Sequence, residues 1–242
     1  MASTYAPDHS FRRWPARLLL WLVRGIVMKM SPLKRAVIRL FENIYYDSCE
    51  STWKNMSWMG TRCQKYPTDL WVYQEIIFHN RPELVSETGT LYGGSALYIA
   101  SLFDLIGEGH VISIDLQVRD DRPKHPRIRY ISGISSTSPD VEEQLRPVLE
   151  STSRRMVILD SDHRKHHVSE ELQIYSEYVT PGQYLIVEDS SINGHPVAAR
   201  FGPGPFESIE EFLKTNEDFT VDADKEKFLL SANHSGFLLR VK

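Results

Sequence analysis

Between Leu84 and Val187, short apolar runs alternate with longer segments whose apolar residues recur at helical spacing. The runs at Pro82–Glu87, His110–Asp115, Ile128–Ile131, Met156–Leu159 and Tyr184–Val187 read as strands. Several are apolar without interruption, as expected for strands buried on both faces of a parallel sheet. The segments Ala96–Ile106, Pro139–Leu149 and His166–Val179 read as the crossover helices between them. Strand and helix in alternation predict an α/β domain with a doubly wound, mostly parallel sheet. Upstream, the pattern predicts helices over Pro15–Met30, Pro32–Tyr45 and Asp69–Asn80, after a disordered stretch at residues 1–10. Downstream it predicts a helix over Glu207–Asn216 and two terminal strands, Lys227–Leu230 and Gly236–Val241, as an antiparallel pair.

The polar residues that interrupt this pattern sit where strands end. Met156-Val157-Ile158-Leu159 runs straight into Asp160-Ser161-Asp162-His163, and Tyr184-Leu185-Ile186-Val187 into Glu188-Asp189. Ligands of open α/β sheets sit at the carboxyl ends of the strands. If these two strands are neighbours, Asp160, Glu188 and Asp189 converge, and adjacent carboxylates repel unless something positive lies between them. Oxygen donors at one sheet edge suit a hard cation such as Mg2+. Taken singly, each acid has the plainer reading of a cap on the following helix or loop. The first strand leads into Gly89 and then Gly93-Gly94-Ser95 before an apolar helix. Such a turn lets backbone approach a ligand and aims a helix N-terminus at an anionic group. The glycine spacing is not the dinucleotide fingerprint, and no P-loop lysine follows. Asp115 ends the second strand, where an acid can take the two ribose hydroxyls of a nucleoside cofactor. The polar loop from Ser132 to Thr137 would line its adenine.

Composition narrows the function class. The 242 residues carry a net charge of -4, which gives no case for nucleic acid as the partner. Two cysteines, Cys49 and Cys63, exclude a disulfide scaffold and a cysteine zinc site and fit a reducing, cytoplasmic compartment. Residues 1–50 stand apart as a basic and apolar extension. Arg12, Arg13, Arg17 and Arg24 flank Leu18-Leu19-Leu20-Trp21-Leu22-Val23. That run is too short to span a bilayer. Either it lies on an anionic membrane surface as an amphipathic helix, or it packs on the domain or on a second subunit, which favours a homo-oligomer. Residues 51–60 hold aromatic and polar groups without a clean period and read equally as a lid or as ordinary core. Trp53, Trp58 and Trp71 lie in or near that lid, where they would stack on a sugar.

Taken together and in order, Glu87-Thr88-Gly89-Thr90 with Gly93-Gly94-Ser95, Ile158-Leu159-Asp160-Ser161-Asp162-His163, Val187-Glu188-Asp189, Asn193-Gly194-His195-Pro196 and Phe201-Gly202-Pro203-Gly204-Pro205 resemble the cephalosporin hydroxylase family. That family includes rhamnosyl and related sugar O-methyltransferases. The resemblance covers the chain from about Trp53 to the C-terminus. It implies a Rossmann-like class I methyltransferase domain over residues 51–242, using S-adenosylmethionine and Mg2+. By position it implies Glu87, Gly89, Tyr92, Ser95 and Asp115 as cofactor-binding residues, Ser136 near the base, and Asp160, Glu188 and Asp189 as Mg2+ ligands.

The expected activity is transfer of a methyl group to a hydroxyl of a sugar or polyhydroxylated natural product. An acceptor hydroxyl is a weak acid, so a nearby Mg2+ that lowers its pKa is sensible, and vicinal hydroxyls could chelate it. A histidine titrates near neutral pH and suits the general base. His163 is the first candidate and His195 the second, while His166 and His167 are expected solvated on the crossover helix. Two alternatives stay open. An iron oxygenase needs two histidines and a carboxylate, and the strand ends offer mainly acids. A non-catalytic S-adenosylmethionine-binding partner protein could lose the metal acids, and this chain keeps them.

Overall fold

A computed structural model describes residues 31–242. The expected helix Pro15–Met30 and the expected disorder of residues 1–10 lie outside the described residues. By contacts the chain divides between Phe41 and Glu42, inside helix α1 (Ser31–Asp47). The unit from Glu42 to Lys242 is described by itself below.

Among its described residues, this unit contains a small hairpin, β1 (Ser57–Trp58) with β2 (Thr61–Arg62), and a seven-stranded sheet. Helix α2 (Pro67–Asn80) precedes the sheet. The sheet is built from β3 (Leu84–Thr88), β4 (His110–Asp115), β5 (Ile128–Ser132), β6 (Arg155–Leu159), β7 (Tyr184–Val187), β8 (Phe219–Val221) and β9 (Phe237–Arg240). Its order is β5-β4-β3-β6-β7-β9-β8. The first five are parallel, while β9 runs antiparallel to both β7 and β8. Helices α3 (Gly94–Ile106), α4 (Pro139–Ser151) and α5 (Lys165–Ser176) make the crossovers, and α6 (Pro205–Thr215) follows β7.

Burial on both faces explains the uninterrupted apolar runs. In β6, Met156 and Ile158 pack with α2 and α3, while Val157 and Leu159 pack with α4 and α5 on the other face. Successive side chains of a strand alternate faces, so both sets must be apolar. The chain steps outward from β3 to β4 and β5 on one side and to β6 and β7 on the other. The switch point therefore lies between β3 and β6, where such sheets place their ligands. There Asp160 N–H donates to the Thr88 carbonyl at 3.1 Å, and on the β4 side of β3 Gly89 N–H donates to the Ile114 carbonyl at 2.8 Å.

One expected strand is absent. Lys227–Leu230 forms no ladder; the partner of β9 is Phe219–Val221, followed by a 3-10 turn at Ala223–Glu226. The Phe-Leu-Leu run at 228–230 is apolar, but Phe228 and Leu229 are exposed. The other helix and strand ends agree with the sequence pattern to within about three residues, the usual looseness of element boundaries.

Candidate active site at the carboxyl edge of the sheet

The carboxyl ends of β3, β4, β6 and β7 open into one cavity of about 640 Å³, a usual size for a small-molecule site. Gly89, Asp115, Ser136, Asp160, His163, Glu188 and Asp189 all line it. Gly89 carries φ +84°, and a Cβ there would stand 1.8 Å from the Asp160 carbonyl oxygen. Only glycine lets β3 turn this close against the end of β6.

Asp115 is held in place by three donors. Its Oδ2 accepts from the Leu91 N–H at 2.7 Å and from Arg122 at 2.9 Å, and its Oδ1 accepts from the Gln117 N–H at 2.7 Å. Arg122 is itself buried and also donates to the Leu91 carbonyl and the Ser132 hydroxyl. Beneath this wall, Glu87 is fully buried; its Oε2 accepts from the Ser113 hydroxyl at 2.6 Å and its Oε1 has no partner among the described residues. Burial raises its pKa against the pull of Lys65 and Ser113. Ser95 is buried at the start of α3, and like Glu87 it stands behind the cavity wall. Tyr92 lies off the wall too: the guanidinium groups of Arg62 and Arg119 stand 5.0 and 4.5 Å from its ring centre.

The acids at the ends of β6 and β7 converge as their positions predicted, because β6 and β7 are neighbours. One donor atom each from Asp160, His163 and Asp189 lies within 4.8 Å of the others. Asp189 adopts φ 53°, a left-handed conformation uncommon outside glycine and tolerated best by Asp and Asn. His163 Nε2 lies 3.2 Å from Asp189 Oδ2. Burial opposes the charged imidazole, but Asp189 and Asp160 outweigh it and the pKa of His163 rises.

Glu188 belongs to the same cluster but is differently engaged. Tyr73 donates to its Oε1 at 2.8 Å and Lys65 to its Oε2 at 2.6 Å. The same Lys65 ammonium also donates to Asp160 Oδ2. Lys65 is only 5% exposed. Burial pushes Asp160 up to about 6 and Glu188 up to about 7, with Lys65 acting in the opposite direction on both. A further buried acid, Asp69, lines the cavity and is pushed up to about 7 by burial. Acidic side chains thus outnumber the basic ones, Lys65 and His163, in this part of the cavity. Oxygen and imidazole donors in a carboxylate-rich pocket fit a hard divalent cation. They do not form the two-histidine, one-carboxylate set of an iron oxygenase.

The other histidines separate cleanly. His195 stacks on Phe206 at 3.8 Å and bonds Glu207 at 2.9 Å, away from the cavity wall. His166 is exposed as expected, but His167 is not simply solvated: it turns inward and lines the cavity beside Ser136 and Ser161. Of the described tryptophans, Trp53 alone joins the wall, with Tyr46 stacked on it at 5.7 Å. Trp58 packs edge-on against Tyr98 and donates to Ser101, and Trp71 is exposed on α2. Lys65, Asp69, Tyr73, Arg122, His167 and, bonded to Ser136 from behind, Glu171 are site residues that the sequence pattern does not mark.

Residues 50–241 match the family model described as rhamnosyl O-methyltransferase/CmcI. The chain belongs to that family. Within it, the rhamnosyl O-methyltransferase of Mycobacterium tuberculosis is 38% identical over 212 residues, covering 85% of each chain. That of Mycobacterium leprae is 40% identical over 194 residues, 78% of this chain and 84% of the relative. The fold is also that of solved CmcI structures. A CmcI structure with Mg and SAM aligns with TM-score 0.62 at 22% identity over 79% of each chain. An apo CmcI structure aligns with TM-score 0.61 at 23% identity, over 78% of this chain and 77% of the other. No described helix is long and apolar enough to cross a membrane.

Proposed function

We propose that this chain transfers a methyl group from S-adenosylmethionine to a hydroxyl of a sugar or polyhydroxylated natural product, with Mg2+ as cofactor. The observation that carries the reading is one cavity holding both an anchored ribose-type acid, Asp115, and the Asp160–His163–Asp189 cluster. Asp115 would take the ribose hydroxyls, and the open turn at Gly89 would let backbone approach the cofactor. Ser136 would lie near the base, with Glu87 and Ser95 supporting the wall from behind. Asp160 and Asp189 would hold Mg2+, with Glu188 sharing Lys65 with Asp160. Bound there, Mg2+ would lower the pKa of an acceptor hydroxyl. His163 would hold Nε2–H against Asp189 Oδ2, which leaves its other ring nitrogen, Nδ1, to take the acceptor proton. Trp53 and Tyr46 offer the acceptor an apolar face. The names of the relatives make a rhamnosyl glycoside the first acceptor to assay.

Calorimetry tests the reading. S-adenosylmethionine should bind wild type and bind Asp115→Ala much more weakly, and Mg2+ should bind wild type but not Asp189→Asn. No binding of S-adenosylmethionine to wild type would remove the methyltransferase reading. A requirement for Fe2+ and oxygen would replace it with the oxygenase. The expected subunit association and membrane contact rest on the extension of residues 1–50, of which 1–30 lie outside the described residues. Liposome sedimentation with and without residues 1–45 tests the second, and equal binding sinks it.

A further inference from the structure

Helix α5 carries an acid on its buried stripe. Glu171 lies among Val168, Leu172 and Tyr175, and is 1% exposed. Its Oε1 accepts from the Ser136 hydroxyl at 2.6 Å and from the Ser161 hydroxyl at 2.7 Å. Its Oε2 is buried with no partner among the described residues. His167, one turn earlier on α5, places Nε2 3.2 Å from Ser136 Oγ, 3.0 Å from Ser161 Oγ and 3.6 Å from Glu171 Oε1.

The proton arithmetic of this cluster is constrained. A serine hydroxyl has one proton to donate and two lone pairs. Both hydroxyls donate to the same oxygen, Glu171 Oε1, so both serine protons point at Glu171. A Nε2–H on His167 then has the two hydroxyl oxygens as acceptors. Ser136, Ser161 and His167 line the cavity; Glu171 stands behind them. What Ser136 and Ser161 have left to present to a ligand is therefore lone pairs. Such a surface accepts hydrogen bonds from a bound amine and turns away a carbonyl.

We infer that Glu171 is a positioning residue that fixes Ser136 and Ser161 as hydrogen-bond acceptors, so that this wall selects the 6-amino group of an adenine over the 6-oxo group of a hypoxanthine. The inference rests on the reading of an S-adenosylmethionine site and goes beyond it by assigning how the base is discriminated. A site built around one polarity rejects the opposite one strongly, because the mismatched groups are left buried and unpaired.

The test is calorimetric titration of S-adenosylhomocysteine and S-inosylhomocysteine, which need no acceptor or turnover. Wild type should prefer the adenosyl compound by at least about 100-fold. In Glu171→Gln the hydroxyls regain freedom to turn, and the preference should fall below about 10-fold. Ser136→Ala, which leaves the buried acid in place, should lower the preference about 10-fold with little change in affinity for the inosyl compound. A purely structural role of Glu171 would weaken both ligands alike and leave their ratio unchanged. An unchanged ratio in Glu171→Gln or in Ser136→Ala, or equal affinities in wild type, would overturn the inference alone. Failure of wild type to bind either compound would overturn the methyltransferase reading and this inference with it.

Discussion

Lys65→Met is the most informative single perturbation of the site. It removes the ammonium that Asp160 and Glu188 share while keeping a side chain of similar length in a position that is 5% exposed. Deleting one partner of a buried ion pair costs about 3–5 kcal/mol, because the other charge stays behind unpaired. For a unit the size of residues 42–242 this corresponds to a fall of roughly 6–20 °C in Tm. The size of the loss should depend on pH. Burial already raises the folded-state pKa of Asp160 to about 6 and of Glu188 to about 7. Without Lys65 both go higher. An acid whose folded pKa lies above its unfolded value favours folding at low pH, and that advantage is lost as pH rises through the folded pKa. At pH 5 the two acids in the variant are protonated and need no counter-charge, so variant and wild type should unfold at similar temperatures. At pH 8 they are forced towards ionisation and the full difference should appear. Mg2+ binds the folded protein, so it should recover part of the loss at pH 8. Thermal unfolding followed by circular dichroism at pH 5 and pH 8, with and without Mg2+, reads all of this. An equal loss at both pH values, or none at pH 8, would refute the view that Lys65 serves as the counter-charge of these carboxylates.

Three further outcomes are expected. Gly89→Ala should lower the denaturation midpoint markedly: φ +84° alone costs about 1–3 kcal/mol for a residue with a side chain, and the new Cβ would collide with the Asp160 carbonyl; an unchanged midpoint in urea would contradict the close approach of β3 and β6. His163→Ala should reduce kcat by about 10²- to 10⁴-fold and leave S-adenosylmethionine affinity, measured by calorimetry, unchanged; a variant that loses affinity but not kcat would remove His163 as the base. His234 bridges Glu42 at 2.7 Å and Glu226 at 2.9 Å, and these two acids overcome burial to raise its pKa to about 9. Its stabilisation, at most about 3 kcal/mol, is complete below pH 6.5 and lost as pH rises through 9. His234→Gln should therefore be less stable than wild type at pH 6 and nearly equal to it at pH 10, and parallel stability curves would rule out the ion bridge.

The parts of the molecule that could be read from sequence are those governed by local pattern. A strand buried on both faces writes itself as Met156-Val157-Ile158-Leu159, and the acid after it must fall at the sheet edge where β3 and β6 diverge. Asp115 and Gly89 are legible for the same reason: each position follows from where a strand stops. The failure at residues 227–230 has the same origin. An apolar run says that a segment resembles a strand, not that a neighbour has a free edge for it, and β9 already pairs with β7 and with Phe219–Val221.

Side-chain pairing over long separations leaves no such trace. Lys65 meets Asp160 and Glu188 across 95 and 123 residues, and no spacing within either segment announces the contact. Its effect is nevertheless large, since it divides the acids that looked equivalent in sequence. Glu188 shares its oxygens between Tyr73 and Lys65, whereas Asp189 faces His163. Glu171 is an intermediate case. It breaks the apolar stripe of Val168, Leu172 and Tyr175, and His167 stands four residues before it on the same side of α5. A charge on a buried stripe is costly unless it is paired, so a stripe that keeps one deserves to be read as a signal rather than as noise. Here the pairing partners are Ser136 and Ser161, residues from two loops, and the hydrogen bonds from their hydroxyls offset part of the cost of burying the acid. That is why polarity at the cavity wall, unlike the position of the sheet edge, follows only once two loops and helix α5 are seen together.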